Sequence, residues 1–242
     1  MDLPKAIFCW SGGKDSALCL HKVLSQNLFD VKYLLTTVND EFKRVSMHGT
    51  REDLLDLQAS AIGLPLLKVR VKEGTNSEYE KQMEAALLKA KAEGIEQVIF
   101  GDIFLEDLRV YRENNLAKVN MKAVFPLWKK DTRVLIKEFI DLEFKTVICC
   151  VNDGYFGEEW LGRAINEQFI KELPANVDPC GENGEYHTFC FAGPVFKKEV
   201  RFTMGENIYK ALDIRTDDTC KTEQMVITKG FWFCDLLPFL TT

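Results

Sequence analysis

Long apolar runs are missing from this chain of 242 residues. None approaches the roughly 20 residues that a membrane-spanning helix needs, so no membrane partner is expected. The N-terminus lacks a basic segment followed by an apolar segment and a cleavage site, so no secretory signal is expected and a cytoplasmic location is read. No internal repeat or low-complexity stretch is visible. The eight cysteines include no Cys-x-x-Cys pair, which removes the usual spacing of zinc and iron–sulfur sites. Buried free thiols in a reducing compartment are the expectation. Excess positive charge is also missing. The formal net charge is −6, whereas unspecific nucleic-acid binding needs many phosphate-neutralising cations, so there is no strong nucleic-acid signal. Histidine is scarce, with only His21, His48 and His187.

What is present is an ordinary globular composition, 46% hydrophobic and 28% charged. Over residues 1–150 two patterns alternate. Short β-rich runs lie at 5–10, 31–38, 66–71, 96–101 and 145–151. Between them come helical periodicities. In 77–93, for example, Met83, Ala86, Leu87 and Ala90 share one face. Strand–helix alternation predicts βαβ units and a doubly wound parallel sheet of five strands. After Val151 the texture becomes turn-rich and then β-like. That predicts a smaller α+β domain over 151–242, following a nucleotide-binding domain over 1–150.

The first strand runs into "SGGKDS", Ser11 to Ser16. The spacing is neither the Walker Gly-x4-Gly-Lys-Ser/Thr nor the Rossmann Gly-x-Gly-x-x-Gly. The context still suits phosphate: strand, tight glycine turn, then a helix N-terminus with free N–H groups and a positive dipole end. Ser11 and Ser16 bring hydroxyls, and Lys14 brings a charge. Asp15 would repel phosphates unless a cation stood between them, which argues for Mg²⁺. The bland alternative is a capped turn with a solvated lysine.

In a flavodoxin-like strand order the first strand has neighbours on both sides, and ligands bind at the carboxyl ends. The run "EQVIF" is then its neighbour, and Gly101 and Asp102 fall beside the loop. Asp102 is a second candidate for Mg²⁺, or a simple helix cap. Thr37 and Val38 end the second strand, a natural place for the nucleotide base, and His48, in the polar loop beyond, is a candidate to contact the nucleotide or simply flanks the N-terminus of the next helix. Arg109 and Glu113, four apart, share a helical face near the cleft mouth or form a plain surface pair. The loop "CGENGEYHTF" gathers Glu182, Glu185 and His187, types that can bind a cationic substrate or take protons from ammonia. The other reading is a plain polar connector.

"SGGKDS" resembles the pyrophosphate loop of the ATP pyrophosphatases. With "SMHGT", "GDI", the Arg109/Glu113 pair, "FPLW", and "CGENGEYHTF" followed by "GPVF", the chain resembles a narrower family, the diphthine–ammonia ligases. The resemblance implies a HUP-like nucleotide domain, ATP with Mg²⁺, and ammonia as second substrate. It implies adenylation of a carboxylate with release of pyrophosphate, then amination, as in conversion of diphthine on elongation factor 2 to diphthamide. It implies pyrophosphate contacts from Ser11, Gly12, Gly13, Lys14 and Ser16, metal contacts from Asp15 and Asp102, and acyl-substrate or ammonia contacts from Glu182, Glu185 and His187. Two alternatives stand beside it: adenylation of a tRNA or small metabolite, and an ATP-binding regulator without turnover.

Overall fold

The computed structural model describes residues 3–45, 48–72, 76–212 and 228–239. In chain order the elements are β1 (Lys5–Cys9), α1 (Lys14–Ser25), β2 (Asp30–Asn39), β3 (Arg44–Val45), α2 (Glu52–Ile62), β4 (Leu66–Val71), α3 (Asn76–Ala92), β5 (Gln97–Ile99), α4 (Glu106–Lys118), β6 (Lys122–Val124), α5 (Thr132–Asp141), β7 (Lys145–Asn152), α6 (Glu167–Glu172), β8 (Tyr186–Ala192), β9 (Phe202–Ala211) and β10 (Gly230–Pro238).

Five parallel strands run in the order β4-β2-β1-β5-β6, with the short β3 added antiparallel at the end of β2. β1 is central. Ala6, Ile7 and Phe8 are fully buried, as a strand covered on both faces requires. Helices α3 and α4 cover one face, where Leu87, Ala90 and Leu116 meet Ile7, Leu35 and Val98. Helices α1, α2 and α5 cover the other, through Leu20, Leu55, Ala59 and Phe139. The expected helix around Arg51–Ile62 ends at Gly63, whose φ of +86° suits a left-handed stop. The start of α5 is capped by Asp131, which accepts from the N–H groups of Arg133 and Val134.

One strand differs from expectation. The run at 145–151 is not the fifth parallel strand. It is β7, inside an antiparallel sheet of order β8-β7-β10-β9. Its residues from Thr146 onward are all buried, and a continuous apolar run reads alike in either kind of sheet. The fifth parallel strand is β6, three residues long. Residue 150 therefore falls inside a strand of the second sheet. That sheet packs on the α2 side: Leu54 and Ala61 meet Val147, Phe189 and Leu236. The apolar cluster around Phe8 and Trp10 continues into Ile148, Tyr186 and Cys190 without a break.

All seven described cysteines are free, and all but Cys9 are buried. Burial raises their thiols, Cys9 and Cys149 to about 12. They are inert neutral groups rather than nucleophiles. Cys220 lies outside the described residues.

Candidate active site

β1 ends at Cys9 and α1 starts at Lys14, so four residues make the turn. Gly12 has a φ of +84°. A Cβ there would lie 2.8 Å from Leu55 Cδ2 and 2.9 Å from Gln58 Oε1, so glycine is required twice over. The loop closes on itself. Gly13 N–H donates to Ser11 Oγ (3.3 Å), Ser11 Oγ to Ser16 Oγ (3.2 Å), and Ser16 Oγ back to the Gly13 carbonyl (2.9 Å).

The second sheet is stitched onto this turn. Gly12 O accepts from Cys190 N–H (2.8 Å) and from Gln58 Nε2 (2.9 Å). Gln58 Nε2 also donates to Cys190 O (2.6 Å), and its Oε1 accepts from Trp10 Nε1 (2.9 Å). Lys14 N–H donates to Thr188 Oγ1 at 3.0 Å. Gly12 and Gly13 consequently lie beneath the cleft surface, while Ser11, Lys14, Asp15 and Ser16 line it. Gln58 and Thr188 were not read from the sequence. A polar residue on the apolar face of a helix, as Gln58 is, was the one available signal.

Lys14 is only 3% exposed. Its Nζ sits 2.7 Å from Asp15 Oδ2, donates to Cys180 O, and lies 5.1 Å from the Tyr186 ring centroid. Burial opposes its charge, but Asp15, Tyr186 and Cys180 together outweigh that, and the amine stays cationic above its ordinary range. Burial in turn pushes Asp15 up, against the pull of Lys14. Glu182 accepts from Ile103 N–H at 3.1 Å, and burial, then Asp15, raise it to about 8.

The Glu182 shift makes a prediction about stability. Folded, the group keeps its proton to about pH 8; unfolded, it releases it near 4.5. Between those values the unfolded chain binds fewer protons, so stability falls as pH rises. The urea midpoint should therefore drop from pH 5 to pH 8, and drop less in Glu182→Gln. An equal drop in both proteins would place the slope on other groups.

Gly101 lies where a Cβ would approach Asp15 O to 3.2 Å, which sets the end of β5 against the first turn of α1. Asp102 thus reaches the cleft, as expected. It does so already paired: Arg112 Nε lies 2.5 Å from Asp102 Oδ2, and Arg112 Nη2 donates to Oδ1 at 3.1 Å. The guanidinium carbon stands 4.3 Å from the Phe100 ring centroid.

His48 and His187 come together from distant elements, with ring centroids 4.6 Å apart and planes at 36°. Burial lowers His48 to about 4, and lowers His187 well below the ordinary imidazole range, helped by His48 and Lys14. Both rings are neutral at physiological pH. The segment carrying His48 is pinned to β10 by Asp235, which accepts from Arg51 Nε (2.9 Å) and Nη2 (2.7 Å) and pairs with Arg44 (2.8 Å). Ser46 and Met47 lie outside the described residues.

These side chains line a cavity of about 1000 Å³ that also takes in Thr36 and Thr37, Tyr79, and the Leu108, Tyr111, Arg112 and Asn115 face of α4. Other expected residues do not reach it. Val38 is fully buried in the sheet, paired with Val45. Glu185 is fully buried and accepts from Asp178 N–H (2.9 Å), Asn183 N–H (2.9 Å) and Asn183 Nδ2 (3.0 Å), so it shapes the 180–188 loop from within. Arg109 and Glu113 pair at 2.8 Å off the cleft lining, with the guanidinium over Trp128 and Phe125 at 4.7 and 5.1 Å. Arg112, three residues along the helix from Arg109, is the arginine that faces the cleft. Among the described residues no group of three or more His, Cys, Asp or Glu is set to hold a metal, and no helix is long and apolar enough to cross a membrane.

Two family models match the chain. The diphthamide synthase N-terminal domain covers residues 4–123, and the diphthamide synthase C-terminal domain covers residues 131–217. The diphthine–ammonia ligase of Danio rerio is 27% identical over 230 residues, 86% of this chain and 88% of its own length. The human diphthine–ammonia ligase is 25% identical over 225 residues, 84% of each. An uncharacterized protein of Methanocaldococcus jannaschii is 28% identical over 188 residues, 68% of this chain and 71% of its own length.

Proposed function

The chain belongs to the diphthamide synthase family, and from that premise we propose that it is an ATP-dependent carbon–nitrogen ligase of diphthamide biosynthesis. It joins ammonia to the carboxylate of diphthine on elongation factor 2, in the cytoplasm. The observation that carries the reading is the meeting of two stretches: the Ser11–Ser16 turn at the carboxyl ends of the parallel strands, and the 180–188 loop laid across it with Lys14 Nζ on Cys180 O.

A carboxylate is a poor acyl electrophile because its leaving group would be oxide. In the proposed first step a substrate oxygen attacks the α-phosphorus of ATP and pyrophosphate departs. Ammonia then attacks the acyl carbon, the bond to AMP breaks, and one proton is released. Lys14, buried and cationic, faces charge that grows on the departing pyrophosphate, where a water-poor setting strengthens its effect. The N-terminus of α1 adds N–H donors at the same place, and the Ser11 hydroxyl joins them by turning from Ser16 toward the phosphates. Arg112, aligned by Asp102, supplies a second cation at the far wall. Thr36 and Thr37, at the end of β2, stand where the nucleoside half fits.

Mg²⁺ needs only one or two carboxylates when phosphate oxygens supply its other ligands. Asp15 fits that requirement, because it lines the cleft with only its Oδ2 engaged, by Lys14; Asp102 fits it less well, because the Arg112 guanidinium already neutralises it and hydrogen-bonds its Oδ1. When bound, the ion would neutralise phosphate charge during displacement.

The deciding measurement is the product set with ATP, ammonium and diphthine-bearing elongation factor 2. AMP plus pyrophosphate, in step with amide formation, is expected. ADP plus phosphate would overturn the assignment, and tight ATP binding without turnover on any carboxylate would make the protein a regulator.

A further inference from the structure

Two ring nitrogens in the cleft have no partner within the protein: His48 Nδ1 and His187 Nε2, both buried. A buried polar atom left unbonded costs about 1–3 kcal/mol, and native structures keep few of them. Here two stand on neighbouring rings, in one cleft, immediately over the phosphate turn. A Cβ on Gly13 would lie 3.2 Å from His48 Cε1 and 3.3 Å from Thr188 Oγ1.

The surroundings define what can bind between them. Both rings are neutral, and neither His48 Nδ1 nor His187 Nε2 has a partner, so each offers a small ligand a lone pair or an N–H. Lys14 is the charged group acting on both rings, and it is positive. A cation is therefore repelled. No cationic donor sits on the rings themselves to hold an anion. A small neutral molecule carrying N–H donors fits, and the ligase reaction has one such substrate, ammonia in its unprotonated form.

We propose that His48 Nδ1 and His187 Nε2 form the subsite that receives neutral ammonia beside the phosphate turn. The proposal rests on the ligase reading. It also accounts for the clasp of Asp235 on Arg44 and Arg51, which holds the His48 segment against β10 and so brings two sequence-distant histidines into register.

The test separates two half-reactions of the full chain at one fixed pH. The first is substrate-dependent exchange of pyrophosphate into ATP, which needs no ammonia. The second is amide formation against ammonium chloride concentration. His48→Gln keeps a polar atom near Nε2 and removes Nδ1; His187→Asn keeps the Nδ1 side and removes Nε2. Each should raise the KM for ammonium about tenfold, the factor for one lost hydrogen bond, with the rate recovering at saturating ammonium and exchange falling far less. His187→Gln, which returns a polar atom near Nε2, should regain most of the loss. An unmoved KM would mean the nitrogens hold only water and would overturn the subsite alone. Parallel losses in both half-reactions would reassign the pair to a structural role. No exchange in the unaltered protein would overturn the ligase reading, and the subsite with it.

Discussion

Lys14→Ala should lower turnover by about 10²–10³-fold, the range for removing one preorganised donor from a developing oxyanion. The large effect comes from where the amine stands. It is nearly inaccessible to solvent, yet one carboxylate and one carbonyl keep it charged and aimed. Alanine leaves Cys180 O without its donor and Asp15 without its counter-charge, so the 180–188 loop loses its tie to α1. Asp15 can take up a proton in response, which limits the stability loss. Lys14→Arg should not restore activity, because a planar fork cannot replace a point charge in a space closed by the Tyr186 ring. Steady-state pyrophosphate release, read beside a thermal melt, checks both statements. Near-normal turnover in Lys14→Ala would remove the lysine from the chemistry.

Gln58→Leu should be the most damaging single change to the fold among those near the site. The leucine is apolar and of similar size, so little volume is lost. What is lost is a set of partners: Gly12 O and Cys190 O each lose a donor, and Trp10 Nε1 loses its acceptor. Gly12 O keeps the Cys190 N–H, so the cost falls mainly on the other two. At about 1–3 kcal/mol for each orphaned group, the total is about 2–6 kcal/mol. For a chain of this size that corresponds to a fall in Tm of roughly 4–24 °C. A melt unchanged within error would show that the amide is not the clasp it looks to be.

The parts of this molecule legible in its sequence are those whose signal is local. The turn at Ser11–Ser16 announces itself through two glycines after an apolar strand. The neighbour relation of β1 and β5 follows from the handedness of crossovers, and it carries Asp102 to the cleft as expected. The misread parts depend on what lies across space. The run at 145–151 looks like any buried strand, and only its partners, β8 and β10, show that it is antiparallel. Glu185 has the composition of a site residue, but three nearby N–H donors claim it. Arg109 lies just beyond Asp102 in sequence, which suggests the cleft mouth, but it pairs with Glu113 off the cleft lining as a plain surface pair would, while Arg112 lacks a sequence-local mate and pairs with Asp102. Thr188 and Gln58 gain their roles from residues 174 and 46 positions away, a separation no local pattern encodes.

The continuity between the two sheets bears on how such a protein can change over time. Thr188 and Cys190 of β8 bond directly to the turn at Gly12 and Lys14. An exchange of the C-terminal sheet for an unrelated one, by gene recombination, would strip the turn of those bonds and take from the Gln58 amide its Cys190 acceptor at a single stroke. New acceptor preferences must then arise by substitution within loops such as 180–188, not by module swapping.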